Sequence, residues 1–152
     1  MNRGPILNSE LAHAIASMGH GDLLIVCDAG FPIPRTAWRI DLAIVQDVPD
    51  LETVLTAICG SFIAEKVGYA AEMAENNPPL LAKVQRIFAG SDFDPVPHQQ
   101  ILTEMAAKAK VIVRSGAFDP WGNILLYSGV DVRKWFAKPD VKTPEYYAAR
   151  MK

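Results

Sequence analysis

The chain has 152 residues, half of them apolar and 21% charged, with a formal net charge of -2. That is the size of one domain with one core, and the balance excludes both an intrinsically disordered chain and one held to nucleic acid by charge alone. Apolar runs such as 23–27 and 111–113 fall far short of the roughly 20 residues a membrane span requires, and no basic segment followed by an apolar stretch opens the chain as a secretory signal would. Cys27 and Cys59 form no Cys-x-x-Cys pair and lie among apolar residues, as small buried hydrophobes do in a reducing compartment. The expectation is a cytoplasmic domain that meets neither membrane nor nucleic acid.

Asn8 and Ser9 are good capping residues, and Leu11, Ile15 and Met18 follow at helical spacing until Gly19, which predicts a first helix. The continuous apolar run Leu23–Cys27 reads as a strand covered on both faces. Asp28, Ala29 and Gly30 end it, and Pro32 and Pro34 keep the next segment irregular. Residues 40–45 read as a second strand. Leu51, Val54, Leu55 and Ile58 then form the i, i+3, i+4, i+7 set of an amphipathic helix introduced by Pro49 and Asp50.

Residues 62–72 carry signals of both strand and helix. Residues 76–79, Asn-Asn-Pro-Pro, read as a break before a helix over 80–88 with Leu80, Leu81, Val84 and Phe88 on one face. Residues 90–97 read as a polar loop with two prolines, long enough to suggest function. A helix over 98–109 and two short strands, 111–114 and 123–127, around the loop 115–122 complete the domain. Alternating strands and helices give an α/β class, a three-layer α/β/α sandwich around a mainly parallel sheet. The domain spans residues 1–130, and 131–152 form a charged, aromatic C-terminal extension.

Ligands of such sheets lie beyond the carboxyl ends of the strands. Asp28 stands there, where its carboxylate can accept hydrogen bonds from hydroxyls or simply cap the turn before Gly30. His20 lies between Gly19 and Gly21, uncrowded, and is either a functional or an incidental exposed histidine. His98 follows Pro97 at a helix start. Trp121, Gly122 and Asn123 sit in the loop between the last two strands; an aromatic ring beside an amide suits a sugar, and equally suits a packed turn. His13, His20 and His98 form no His-x-x-x-His pair and the cysteines lack zinc spacing, so no metal site is expected. No phosphate-binding glycine loop or Gly-x-Ser-x-Gly elbow is present.

Together these segments resemble the D-ribose pyranase / L-fucose mutarotase family. The likeness is carried in order by Leu7-Asn8-Ser9-Glu10, Met18-Gly19-His20-Gly21-Asp22, the run from Cys27 to Pro34, Arg39-Ile40-Asp41, His98-Gln99-Gln100, Val113-Arg114-Ser115-Gly116 and the run from Trp121 to Leu126. The resemblance implies a cofactor-free isomerase that interconverts ring forms of a free monosaccharide. It also implies a ring-shaped homo-oligomer, a decamer, with active sites built between neighbouring subunits. By position it makes His20 the proton donor and gives Asp28, His98, Trp121, Gly122 and Asn123 to the sugar. Trp121 stands where the family usually has Tyr, and Ala117 where it usually has Glu.

Gly30, Ile33-Pro34, Arg39-Ile40-Asp41 and His98 resemble the ribose branch, while Gly21 and the run from Gly122 to Leu126 resemble the fucose branch. The first set touches the expected pocket more often, which points to D-ribose. The alternatives are an L-fucose-type mutarotase, a non-catalytic sugar-binding or regulatory subunit, and, from fold class alone, a nucleotide-binding domain. For the tail, Trp135 and Phe136 are expected to anchor on a neighbouring subunit, because four aromatic residues exceed what a solvated tail requires.

Overall fold

The computed structural model describes residues 4–148. In chain order its first elements are α1 (Ser9–Ala16), β1 (Leu23–Cys27), β2 (Trp38–Asp41), α2 (Leu51–Cys59), β3 (Ala64–Ala70) and α3 (Met73–Asn76). There follow α4 (Pro78–Ile87), β4 (Asp92–Val96), α5 (His98–Gln100), a π-type turn (Ile101–Met105), α6 (Ala106–Lys108), β5 (Val111–Arg114) and β6 (Ile124–Ser128). The tail adds two single turns, α7 (Val132–Trp135) and α8 (Glu145–Ala148).

The six strands lie in the order β2-β5-β1-β6-β3-β4. The pairs β1–β5, β2–β5 and β3–β4 are parallel, and β6 runs antiparallel to both β1 and β3. The sheet is thus mainly parallel, with one reversed strand at its middle. All five residues of β1 are buried, as are Val111, Ile112 and Val113 of β5 and Ile124, Leu125 and Leu126 of β6. Successive strand residues face opposite sides, so this burial requires cover on both faces, the three-layer arrangement. Each such side chain contributes about 1.5–3 kcal/mol on burial.

The helices begin where side chains can take up unpaired amides. Asn8 Oδ1 accepts the Leu11 N–H at 2.9 Å and Asp50 Oδ1 that of Thr53 at 2.8 Å. Leu51, Val54, Leu55 and Ile58 are all buried along α2, as their spacing predicts.

Three segments depart from the sequence reading, and the mixed signals of a fourth, 62–72, resolve as a strand, β3, leading toward a helix, α3. β2 starts at Trp38 and stops at Asp41: the Leu42 N–H makes the last bond to β5, at the Arg114 carbonyl, and the Asp41 carboxylate then takes the Ala43 N–H. The remaining apolar residues expected in that strand form a tight loop instead, with the Ile44 N–H bonded to the Val48 carbonyl; Ile44 is 78% exposed. Pro78 and Pro79 do not break structure but start α4, where the first turn needs no amide donors and the Asn77 side chain caps. The expected polar loop 90–97 contains β4. Asp92, Asp94 and Pro95 disguise it; the strand lies at the sheet edge, where charge and a missing N–H are tolerated.

Candidate active site

At the carboxyl end of β1 the chain turns through Asp28. Its Oδ1 accepts the Gly30 N–H at 2.8 Å, so the residue does cap the turn. Its backbone N–H is also donated to Asn123 Oδ1 at 3.3 Å. This second contact follows from topology: β6 is antiparallel to β1 with Ile124 opposite Val26, which brings the preceding Asn123 beside the end of β1. Desolvation raises the Asp28 carboxyl above its ordinary value, against the opposing hydrogen bonds from Gly30 and Asn123.

Asn123 is 1% exposed and uses both ends of its amide. Because Oδ1 faces the Asp28 N–H, Nδ2 must face His98 Nε2, which it meets at 3.4 Å. An amide nitrogen can only donate, so Nε2 of His98 is the accepting nitrogen. His98 opens α5, directly after β4. Its backbone N–H is held by both carboxylate oxygens of Glu72, at 3.0 and 3.2 Å, reaching across from the end of β3. Asp28, Asn123 and His98 thus form one hydrogen-bonded chain joining three strand ends.

The loop before β6 is tightly wound. Trp121 is half-buried in the left-handed region at φ 60°, and Asn123 donates its N–H to the Trp121 carbonyl at 2.7 Å. A Cβ on Gly122 would lie 2.8 Å from the Asp119 carbonyl oxygen, so only glycine fits. Asn77 Nδ2 donates to the Pro120 carbonyl at 3.1 Å and ties this loop to the start of α4.

Beside this chain lies a cavity of about 400 Å³, lined by Asp28, Gly30, Arg114, Phe118, Asp119 and Pro120 among others. It falls within the size range of small-molecule sites. Arg114 supports its wall, donating from Nε to the Ala29 carbonyl at 2.9 Å and from Nη1 to Asp41. Burial raises the Asp119 carboxyl, and the Asp47 carboxylate raises it further. Ala117 is fully buried and accepts the Ala29 N–H. Arg114 lies in one of the segments that carry the family likeness without being a site candidate there, and Glu72 and Asp119 carry no motif that marks them in the sequence.

His20 is elsewhere. It precedes β1 whereas Asp28 follows it, so the length of a five-residue strand, about 16 Å, separates them within one chain. The His20 end of the sheet is closed by the Gly21 N–H on the Ser128 carbonyl and the Ser128 N–H on the Asp22 carbonyl. There His20 Nε2 meets Glu65 Oε2 at 3.0 Å, with the imidazole 43% exposed. Of the six sequence candidates, Asp28, Asn123 and His98 share the hydrogen-bonded chain, Trp121 and Gly122 lie in the loop that carries Asn123, and His20 stands apart. His13 packs edge-on against Trp38, ring centroids 5.3 Å apart. Among the described residues, no group of three or more His, Cys, Asp or Glu side chains is placed to hold a metal ion.

In the tail, Asp131 caps α7 and Val132 is buried. Phe136 and Tyr146 each stack on Tyr147, at 5.6 and 4.7 Å, while Trp135 is 56% exposed. Residues 149–152 of the expected extension lie outside the described residues. No helix among the described residues is long and apolar enough to cross a membrane.

A family model described as the RbsD / FucU transport protein family matches residues 1–131. The chain is 58% identical over 150 residues to D-ribose pyranase 2 of Rubrobacter xylanophilus, covering 99% of this chain and 97% of that one. It is 48% identical over 151 residues to D-ribose pyranase 1 of Streptomyces griseus, covering 99% and 100%. Both likenesses run on through the tail. Among solved structures, Bacillus subtilis RbsD complexed with D-ribose matches with a TM-score of 0.81 at 30% identity, over 86% of this chain and 98% of that one.

Proposed function

The chain belongs to the RbsD / FucU family, and from that premise we propose that it is a cofactor-independent isomerase interconverting the pyranose and furanose forms of free D-ribose. The observation that carries this reading is the Asp28–Asn123–His98 chain set beside a cavity of sugar size. D-ribose is favoured over L-fucose because two relatives that match through the tail are named D-ribose pyranases.

Changing ring size requires opening to the aldehyde and closing through another hydroxyl. In opening, the C1–ring oxygen bond breaks and its electron pair stays on the ring oxygen, which takes a proton from His20. The anomeric hydroxyl gives its proton to water, and that O–H electron pair becomes the second bond of the carbonyl. In closing, the attacking hydroxyl returns a proton to His20 and the carbonyl oxygen regains one from water, so no net proton is consumed. An imidazole titrates near neutral pH and serves both directions. Asp28, His98 and Asn123 hold hydroxyls, Gly122 permits the tight turn that sets Asn123 beside the sugar, and the Trp121 ring covers an apolar face.

His20 of one chain is too far from its own Asp28 to serve a sugar held there, so the working site needs His20 from a second copy. This supports a homo-oligomer, which the family resemblance makes a ring-shaped decamer. Ile44, Val45, Val48 and Phe118 are exposed apolar side chains on the rim of the cavity-bearing end, a surface suited to contact between copies. The tail of residues 131–152 adds Trp135 as an exposed anchor. Free thiols at Cys27 and Cys59, the former pushed up by burial, fit a cytoplasmic setting. A panel of free pentoses and deoxyhexoses in ring-exchange NMR tests the assignment: exchange of D-ribose accelerated well above that of L-fucose supports it, and the reverse order overturns the substrate.

A further inference from the structure

β3 pairs regularly with β6 except at one place. Ala64 is opposite Ser128 and Lys66 is opposite Tyr127, so Glu65 is the extra residue of a bulge. A bulge re-aims the side chain it carries. Here the Glu65 carboxylate is brought to His20, Oε2 to Nε2 at 3.0 Å. Space for it is left by Gly129, where a Cβ would stand 2.8 Å from the Glu65 Cβ and 3.3 Å from Oε2. Gly129 is itself fixed by donating its N–H to the Ile63 carbonyl. The neighbouring Lys66 amine is engaged by Asp94 at 3.2 Å and by the Tyr127 ring at 4.3 Å. Beside the pair lies a cavity of about 270 Å³ lined by His20, Glu65 and Asp92 among others.

We propose that Glu65 is a positioning residue for His20, fixing the imidazole so that Nδ1 is the nitrogen that exchanges a proton with the sugar. A carboxylate only accepts hydrogen bonds, so the nitrogen facing it, Nε2, carries the hydrogen in the neutral ring and Nδ1 is left for the substrate. The bulge and the two glycines at 21 and 129 serve this placement: the bulge aims the carboxylate, Gly129 leaves room for it, and Gly21, at φ 83°, permits the turn that follows His20. The inference rests on the reading of His20 as proton donor.

The test uses the full chain with nitrogen-15 histidine, whose three residues are few enough to assign by single substitutions. In the wild type, the neutral His20 ring carries its hydrogen on Nε2. Glu65→Gln keeps the shape of the side chain, but its amide can donate as well as accept, so this preference is lost. Its kcat for ribose ring exchange falls on the order of tenfold to a hundredfold, the scale for losing a carboxylate that orients a functional histidine. KM stays within about twofold, because other residues hold the sugar. A role in the fold alone would instead lower Tm and leave the tautomer and kcat of the folded protein unchanged, and that outcome overturns the proposal. Should His20→Ala turn over ribose at the wild-type rate, the proton-donor reading fails and the catalytic part of this inference falls with it. Wild-type kcat in Glu65→Gln beside an inactive His20→Ala refutes the Glu65 role alone.

Discussion

His20 and Asp28 stand at the two ends of the same strand, β1, and point to separate partners: Glu65 at one end, Gly30 and Asn123 at the other. A sugar held at Asp28 is out of reach of its own chain's His20. The consequence is measurable by mixing. His20→Ala and Asp28→Ala are each inactive as pure oligomers, but co-refolded at equal amounts they regain roughly a quarter of wild-type activity, from interfaces that combine the intact His20 of one copy with the intact pocket of another. A mixture as inactive as its parents contradicts a shared site.

Asp28 makes a second prediction through its titration. Desolvation raises its carboxyl, so the folded chain holds this proton at pH values where the unfolded chain has lost it. Stability therefore falls as pH rises from the ordinary carboxylate value through the raised one, and the charged form is a cost to folding at pH 7. Asp28→Asn removes that cost, and its Tm at pH 7 equals or exceeds that of the wild type. Ribose affinity falls, because charge-assisted hydrogen bonds of about 1.5–3 kcal/mol each become neutral ones. Thermal scans and ribose titration check both halves; a lower Tm with unchanged affinity contradicts the assignment.

The pocket loop predicts selectivity. Trp121 is held in the left-handed region with Asn123 bonded to its carbonyl, so Trp121→Tyr keeps the backbone and changes only ring size and adds a hydroxyl. Activity is retained, and the ratio of ribose to fucose turnover shifts by about tenfold or more. An unchanged ratio removes the ring from specificity.

How much of this is legible in the sequence depends on how local the cause is. β1 and α2 announce themselves because their burial is one continuous run or one helical stripe. β4 does not, since its charges and Pro95 are permitted only by its place at the sheet edge, which the sequence does not display. Likewise the apolar residues after Asp41 suggest a strand, but they form a loop in which Ile44 and Val45 are exposed. The candidates Asp28, His98 and Asn123 come from motif resemblance, while the contacts that hold such residues do not. Glu72 reaches His98 across 26 residues, Glu65 reaches His20 across 45, and Arg114 reaches Ala29 across 85; no spacing rule encodes such contacts.

The tail supplies a fourth prediction. Phe136 is drawn into a ring cluster with Tyr147, while Trp135 stays exposed, as does Tyr146. Deleting the residues after Asp131 weakens the oligomer, seen as a lower mass by light scattering at low protein concentration. An oligomer that resists dilution as well as the full chain does removes the tail from assembly.

Ring interconversion itself is directly measurable. Saturating the pyranose anomeric proton of D-ribose and following the furanose signals by NMR reads that exchange without any coupled reaction. Catalytic amounts of the wild-type protein transfer the saturation well above the rate in buffer, and His20→Ala returns it to the buffer rate with its fold intact. Exchange no faster with the wild-type protein than in buffer, in a sample that binds ribose, contradicts the enzyme and leaves a sugar-binding protein.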